Sequence, residues 1–179
     1  MLKKWKKLNS EQVFSHPRHN VFIDDVELPD GHQTRYIHFG KKNDAVMIIP
    51  RSREGKILLQ KEYSYPPDEI LYQFPGGGLE NNETVEAGAL RELGEEASAT
   101  GTLTKLGWTY INNRRAGNKL HVFLATELSK ASHDNDTEEA FEDFWLSESE
   151  IDELIRTNQL RNYSALAGWS FYKVWKNSV

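Results

Sequence analysis

Hydrophobic and polar positions alternate in the first third of the chain in the manner of paired strands. VFIDDVEL (21–28) and TRYIHF (34–39) flank a Pro-Asp-Gly turn, which predicts a hairpin. The continuous apolar run AVMIIP (45–50) is typical of a buried strand. The following turn, RSREG (51–55), predicts that KILLQKEY (56–63) folds back beside that strand as a second hairpin.

The pattern changes to helical spacing in VEAGALRELGEEASA, where Leu90, Leu93 and Ala97 fall on one helix face. β-branched and aromatic content predicts further strands at TLTKLGWTYI, KLHVFLATEL and AFEDFWL. Ser147 and Glu150 form a capping box that opens a helix, and a last helix runs near Ser164–Trp175. Strands interspersed irregularly with helices indicate an α+β fold with a mixed sheet between helices.

Composition narrows the class of protein. The chain has 179 residues, with 22 basic and 27 acidic side chains and a net charge of −5, which disfavours sequence-independent nucleic-acid binding. There is no cysteine, which excludes disulfides and thiolate chemistry and fits a reducing cytoplasm. The basic start MLKKWKKL lacks a following apolar stretch, and the longest apolar run is Ala45–Ile49. We therefore expect a cytoplasmic protein with no secretory signal and no membrane span.

The most informative segment is RELGEEA, which places three carboxylates on adjoining turns of one helix. Glu92 lies three residues before Glu95 and four before Glu96, so their like charges repel. Arg91 can offset part of this repulsion, and a divalent cation would offset the rest. An all-oxygen ligand set selects Mg²⁺, Mn²⁺ or Ca²⁺ over zinc. Taken alone, such a helix more often presents a solvated acidic face.

The residues before this helix favour the cation interpretation. Gly76, Gly77 and Gly78 let the backbone approach an ion or a phosphate without an intervening Cβ atom. They come shortly before the helix start, where backbone amides and the helix dipole favour anions. A glycine turn followed by clustered carboxylates suits a diphosphate held through metal ions.

Over 23 positions these residues resemble the signature of the Nudix hydrolases. Gly77, Glu83, the run Arg91–Leu93, the pair Glu95–Glu96 and Ala99 all stand at the required spacing. One fixed position departs from the signature, because Ser98 replaces a glycine that normally ends the helix in a left-handed turn. Since serine is less suited to positive φ, we expect the helix to end differently, nearer Gly101.

The resemblance implies an α/β/α sandwich around a mixed β-sheet, with the signature forming a loop–helix–loop. It implies that Glu92, Glu95 and Glu96, with the Gly76 carbonyl, bind Mg²⁺, with Mn²⁺ as an alternative, and that Glu92 and Glu95 serve catalysis. By the same resemblance Glu83 and Arg91 form a bracing ion pair. The implied reaction is attack of water on one phosphorus of a nucleoside diphosphate linked to another group.

Beyond the signature, most of the chain looks like the ADP-ribose pyrophosphatase branch. That branch implies a homodimer built through an N-terminal antiparallel β extension, here residues 1–40, beside a Nudix domain at 41–179. It also implies an acidic loop whose glutamate helps to position or deprotonate the water. Glu139 matches this role best, with Glu138 and Glu142 as open alternatives in a stretch, 134–153, that has ten acidic residues and no Lys or Arg. A solvated acidic surface accounts for most members of that stretch.

Candidate substrate contacts lie outside the signature. The branch often has an arginine where this chain has Ser64, whereas Arg114 and Arg115 stand in the loop between the two strands after the signature. Arginine forks suit phosphate oxygens, although exposed loop arginines are also common. Tyr63, Tyr65 and Tyr72 could stack on a nucleobase, although aromatic residues near a strand more often belong to the core or an interface. Of the three we select Tyr65 as a substrate contact.

The sequence therefore predicts a Mg²⁺-dependent pyrophosphohydrolase that cleaves ADP-ribose or a related nucleoside diphosphate sugar into a nucleoside monophosphate and a sugar phosphate. Two alternatives stay open: a Nudix-like module that binds such a nucleotide ligand without hydrolysis, and a hydrolase of a different substrate such as a dinucleotide or NADH. An isoprenoid diphosphate isomerase would require a catalytic cysteine, which the chain lacks. We expect no nucleic-acid or membrane partner.

Overall fold

The computed structural model describes residues 1–17, 19–40, 43–131 and 140–178. Within these ranges the strands are β1 (Lys6–Phe14), β2 (Val21–Glu27), β3 (Gln33–Phe39), β4 (Ala45–Pro50), β5 (Ile57–Ser64), β6 (Glu69–Gln73), β7 (Ala99–Tyr110), β8 (Lys119–Lys130) and β9 (Glu142–Leu146). The helices are α1 (Val85–Ala97), α2 (Glu148–Arg156) and α3 (Tyr163–Lys176). In this part of the chain no helix is long and apolar enough to cross a bilayer.

The chain divides into two compact units, residues 1–42 with 110–118 and residues 43–109 with 119–179. The first unit contains the antiparallel sheet β1-β2-β3. The predicted hairpin is present: β2 and β3 pair around a turn in which the Leu28 amide donates to the His32 carbonyl at 2.8 Å and Gly31 adopts a φ of 86°. All nine residues of β1 are exposed.

The second unit contains two sheets, ordered β4-β8-β7 and β6-β5-β9. The predicted pairing of β4 with β5 is wrong. The intervening turn forms, with the Ser52 amide donating to the Lys56 carbonyl at 2.8 Å, but only one bridge, Arg51 to Ile57, joins the two segments. The strands then separate, because β4 pairs in parallel with β8 while β5 pairs with β6 and β9.

Strand β4 is buried on both faces. Val46 and Ile48 belong to a core cluster with Leu93 of α1. On the opposite face, Met47 packs against Gly168 of α3. The contact is so close that a Cβ atom at Gly168 would lie 2.5 Å from the Met47 sulfur. Since successive strand residues point to opposite faces, the β4-β8-β7 sheet lies between α1 and α3.

Helix α1 differs from its predicted form in which residues it buries. Leu93 is fully buried, whereas Leu90 is exposed. The core-facing stripe instead repeats every four residues, through Val85, Ala89, Leu93 and Ala97. A spacing of four is as compatible with one helix face as the predicted spacing, so periodicity alone could not choose between them.

The end of α1 also differs from expectation. Its first turn is capped by Thr84, whose side chain accepts from the Ala87 amide at 3.2 Å. Its last residue is Ala97, and Ser98 itself adopts the left-handed conformation, with φ 48° and ψ 35° and its amide donating to the Leu93 carbonyl. The expectation that serine would move the end toward Gly101 is therefore wrong. The left-handed conformation costs a non-glycine residue roughly 1–2 kcal/mol.

Helices α2 and α3 pack through hydrogen-bonded side chains. The predicted capping box of Ser147 and Glu150 opens α2. The Tyr172 hydroxyl donates to Glu148 at 2.9 Å, and the Trp169 ring nitrogen donates to Asp152 at 2.8 Å.

Candidate active site

The predicted ion pair between Glu83 and Arg91 is present and connects the loop before α1 to the helix itself. Arg91 donates from Nε to Glu83 Oε1 at 3.0 Å and from Nη2 to Oε2 at 3.1 Å. The same Nη2 donates to the Gly78 carbonyl at 3.0 Å. The hydrogen bonds from Arg91 hold the pKa of Glu83 below its ordinary value, and those to Glu83 raise the pKa of Arg91. Both groups are therefore charged at neutral pH.

Arg91 also contacts two of the three predicted ligand carboxylates. Its Nη1 lies 2.9 Å from Glu92 Oε1 and 2.8 Å from Glu95 Oε2. Glu92 is buried, with 7% of its surface exposed. One guanidinium thus offsets part of the repulsion on this helix face, as its position in the sequence predicts.

The glycine turn approaches the other carboxylates closely. The Gly76 amide donates to Glu96 Oε2 at 2.9 Å. Gly76 has a φ of 151°, and an added Cβ there would lie 2.3 Å from the Val46 carbonyl oxygen. At Gly77 an added Cβ would lie 2.5 Å from Glu92 Oε1. Two successive positions therefore need glycine, one because of the neighbouring strand and the other because of the Glu92 carboxylate.

These groups line a cavity of about 760 Å³ in the second unit. Among the described residues, its polar lining comprises the glycine turn, one cation, five carboxylates, one amide and one hydroxyl: Gly76, Gly77, Gly78, Arg91, Glu62, Glu92, Glu95, Glu96, Asp143, Gln73 and Ser98. The structure therefore brings together all four predicted metal-binding residues. Sequence reasoning missed Glu62 and Asp143. They lie on β5 and β9, two strands that are distant in sequence, and only the pairing of these strands brings both residues to the cavity.

The cavity fits a hard divalent cation by the chemistry of its donors, because carboxylate and backbone oxygens are the ligands that Mg²⁺ and Mn²⁺ prefer. Within the described ranges, no three acidic or imidazole side chains already converge as a ligand cluster. The Arg91 guanidinium contacts oxygens of Glu92 and Glu95 at the edge of this donor set.

The predicted substrate residues Arg114, Arg115 and Tyr65 are not among the described residues that line the cavity. Arg114 and Arg115 belong to the first unit, where the Tyr36 hydroxyl donates to the Arg114 carbonyl and Arg115 Nη1 donates to the Ile37 carbonyl at 2.9 Å. Tyr65 lies at the tip of the β5–β6 hairpin with 82% of its surface exposed, and it does not line the cavity. Glu139 and its alternative Glu138 lie outside the described residues.

Comparison with known proteins identifies the class. The NUDIX domain model matches residues 41–167, and the chain belongs to the Nudix hydrolase family. The chain is 38% identical over 125 residues to an ADP-ribose pyrophosphatase of Bacillus subtilis (strain 168), a match that covers 69% of this chain and 67% of that protein. It is 32% identical over 128 residues to a methanol dehydrogenase activator of Bacillus methanolicus, covering 70% and 68% of the two chains.

The fold is also that of the family. A crystal structure of an ADP compounds hydrolase superposes with a TM-score of 0.91 at 23% sequence identity, covering 99% of this chain and 97% of the other. The predicted Nudix fold, with a mixed sheet and three helices, is therefore confirmed. Nudix hydrolases generally use a divalent metal, in agreement with the oxygen donors that line the cavity.

Proposed function

We propose that this protein is a Mg²⁺-dependent pyrophosphohydrolase acting on ADP-ribose or a related nucleoside diphosphate sugar, with a nucleoside monophosphate and a sugar phosphate as products. The observation that carries this proposal is the single cavity into which the glycine turn and the carboxylates of Glu92, Glu95 and Glu96 all face. The similarity to an ADP-ribose pyrophosphatase supports the substrate class.

In this proposal Glu92, Glu95 and Glu96, together with the Gly76 carbonyl, hold Mg²⁺ or Mn²⁺. When bound, the cation neutralises charge that develops on the phosphoryl oxygens during water attack. Arg91 keeps Glu92 and Glu95 on the cavity side of α1, and the Gly76 amide orients Glu96. Glu92 and Glu95 then serve catalysis from the positions that these contacts fix.

Glu139 is proposed to position or deprotonate the attacking water. Replacement of Glu139 by Gln should lower kcat while leaving the affinity for Mn²⁺ unchanged, because a carboxylate that acts on water need not bind the cation. A variant that keeps the wild-type kcat would transfer the role to Glu138, Glu142 or a carboxylate of α1.

Further substrate contacts are assigned to residues outside the cavity lining. Arg114 and Arg115 are proposed to bind phosphate oxygens, and Tyr65 to stack on a base. The support is chemical: guanidinium groups bind phosphate through paired donors, and the exposed Tyr65 ring offers a free aromatic face.

Assembly and location complete the proposal. We propose a homodimer that uses the N-terminal extension, residues 1–40, beside a catalytic domain at 41–179. The fully exposed β1, which carries Leu8, Val13 and Phe14, supports this assignment because an uncovered edge strand readily pairs with another strand. The absence of cysteine supports a cytoplasmic location, and the net charge of −5 argues against a nucleic-acid partner.

A hydrolysis panel tests the function directly. ADP-ribose, other nucleotide sugars, dinucleoside polyphosphates and NADH are each incubated with Mg²⁺ and with Mn²⁺, and the products are separated by ion-exchange chromatography. The proposal expects the highest kcat/KM for ADP-ribose or another nucleotide sugar. Preference for a dinucleotide or NADH would change the substrate class, and inactivity toward the whole panel combined with tight nucleotide binding would favour a binding module.

A further inference from the structure

Gln60 occupies the centre of the β6-β5-β9 sheet directly beside the cavity. It is fully buried, and in the strand register it stands opposite Gln73 of β6 and Asp143 of β9. Both of these neighbours line the cavity. The buried amide of Gln60 therefore lies between two polar residues, Gln73 and Asp143, that line the proposed active site.

The Gln60 side chain makes two hydrogen bonds that belong to different walls of the cavity. Its Nε2 donates to the backbone carbonyl of Glu96, in the last turn of α1, and to Asp143 Oδ1, both at 2.9 Å. A backbone carbonyl and a carboxylate only accept, so the orientation of the amide is fixed by chemistry.

The arrangement has a cost that packing does not explain. Gln60 Oε1 is buried and finds no hydrogen-bond partner among the described residues. An aliphatic side chain would fill the same place without leaving an acceptor unpaired, and buried unpaired acceptors destabilise the folded state. The presence of an amide at this buried position therefore indicates that its two donated hydrogen bonds serve the neighbouring groups.

Through Gln60, Asp143 is tied to the carboxylate helix. Glu96 receives the Gln60 donor on its backbone and the Gly76 amide on its side chain. The glycine turn, the end of α1 and the start of β9 thus form one hydrogen-bonded series. Asp143 is an exposed residue of β9. Without the hydrogen bond from Gln60, its carboxylate could rotate toward solvent.

The charge of the cavity indicates what Asp143 binds. Among the described residues, five carboxylates and one cation, Arg91, line it, so a phosphate ligand would meet strong repulsion unless cations enter with it. Asp143 adds to this excess from β9, whereas Glu92, Glu95 and Glu96 contribute from α1. We propose that Gln60 is a positioning residue that holds Asp143 as a further binding group for the divalent cation. This inference rests on the metal dependence of the proposed function.

The test measures metal binding without substrate. Mn²⁺ is titrated into the metal-free protein and followed by electron paramagnetic resonance. Asp143→Asn keeps an oxygen that can accept from Gln60 but removes the charge, and it should weaken Mn²⁺ binding about tenfold or abolish one site. Glu153→Gln, which removes an exposed carboxylate paired with Arg156 on α2, is the matched control and should bind Mn²⁺ as the wild type does.

The positioning role is tested with Gln60→Met, which keeps volume and removes both donors. It should weaken Mn²⁺ binding in the same direction, and combined with Asp143→Asn it should add no further loss, because both changes remove the same interaction. The exposed Asp143 can be replaced without disturbing the core, so its variant decides the matter even if Gln60→Met folds poorly.

Specific outcomes overturn the inference. Unchanged Mn²⁺ binding in a folded Asp143→Asn variant would do so, and so would a raised KM with unchanged Mn²⁺ binding, which would make Asp143 a contact to substrate. Failure of the proposed function is separate: a wild-type protein that binds Mn²⁺ in an Asp143-dependent manner but hydrolyses nothing in the panel would refute the function and leave this inference standing.

Discussion

The guanidinium of Arg91 meets the carboxylate of Glu83 through two hydrogen bonds, of 3.0 and 3.1 Å, across a loop and a helix turn. Both side chains are mostly buried, with 21% and 13% exposed. Glu83→Gln should lower the free energy of unfolding by roughly 1–3 kcal/mol, because Arg91 loses a charged partner in a poorly solvated place. Urea denaturation measures this change.

A surface pair provides the comparison for this prediction. Glu153 and Arg156 lie on α2 with about half or more of each side chain exposed. Glu153→Gln, which removes this exposed pair as Glu83→Gln removes the buried one, should change the unfolding free energy by less than about 0.5 kcal/mol, since exposed pairs contribute little. If Glu83→Gln proved equally mild, the ion pair would have no bracing role.

Adjacent glycines should respond differently to alanine. Gly76→Ala places a methyl group against the Val46 carbonyl oxygen at an unfavourable φ, so it should lower stability by roughly 2–4 kcal/mol. Gly77→Ala meets only the mobile end of Glu92, so it should displace that carboxylate and reduce kcat by tenfold or more, at about 1 kcal/mol of stability.

Thermal unfolding and turnover, measured together, separate these two effects. Gly78→Ala is the control for stability, because nothing lies within 4 Å of its added Cβ. Wild-type turnover in Gly77→Ala would contradict the proposed effect on the Glu92 carboxylate. An equal decrease in stability in all three variants would contradict the specific packing requirement at Gly76.

Glu96→Gln should abolish nearly all hydrolysis while the fold survives. The glutamine oxygen can still accept from the Gly76 amide, so the local hydrogen bond remains, whereas the negative charge for the cation is gone. Turnover, circular dichroism and Mn²⁺ binding are the measurements. Wild-type turnover in this variant would remove Glu96 from the proposed ligands.

Alanine substitutions at the two loop arginines should have different effects, one on thermal stability and the other on substrate affinity. The side chain of Arg115 donates to the Ile37 carbonyl and lies over the Tyr36 ring, so Arg115→Ala should lower the melting temperature by a few degrees. Arg114 is exposed and contributes its backbone carbonyl, which alanine retains. Arg114→Ala should therefore raise KM with kcat and melting temperature nearly unchanged. An unchanged KM would mean that Arg114 is a solvent-exposed residue with no role in substrate binding.

Acid should loosen the contact between α2 and α3. Burial opposes the charge on Glu148, yet hydrogen bonds from Lys176 and Tyr172 outweigh it and hold the pKa of Glu148 below its ordinary value. A carboxylate whose pKa is lowered by folding stabilises the protein fully above its unfolded pKa, near about 4. That stabilisation is lost as the pH falls through the lower, folded pKa.

Glu148→Gln should accordingly lower the unfolding free energy at pH 7 by about 1 kcal/mol and flatten its decline in acid. Urea denaturation between pH 7 and pH 3 measures both. The exposed Glu11 on β1, paired with Arg35, provides the comparison, since Glu11→Gln should leave the curve unchanged. An unchanged slope in Glu148→Gln would contradict the assignment.

Local chemistry made much of the site predictable from sequence. The spacing of Glu83, Arg91 and the three helix carboxylates requires only a helix and a preceding turn, and those form as expected. The features that could not be predicted depend on the pairing of strands that lie far apart in the sequence. The parallel partner of β4 is β8, about 75 residues later, and no local pattern specifies it.

The same reason explains the other differences. Asp143 reaches the cavity because its register on β5 places it beside Gln60, a relationship of 83 residues in sequence. Ser98 adopts the left-handed conformation because the surrounding fold overrides a local preference of modest size. The sequence signature identified the correct cap position and misjudged only which residue could occupy it.

The ion pairs of Arg91 with Glu92 and Glu95 have a consequence for experiments on the metal-free protein. Because a guanidinium already serves as an internal counter-ion for these carboxylates, removing metal with a chelator should leave the protein folded. Chelation would then halt chemistry without unfolding the enzyme. Crystals grown in a chelator could capture an uncleaved nucleotide, and a later soak in Mg²⁺ would start the reaction in the lattice.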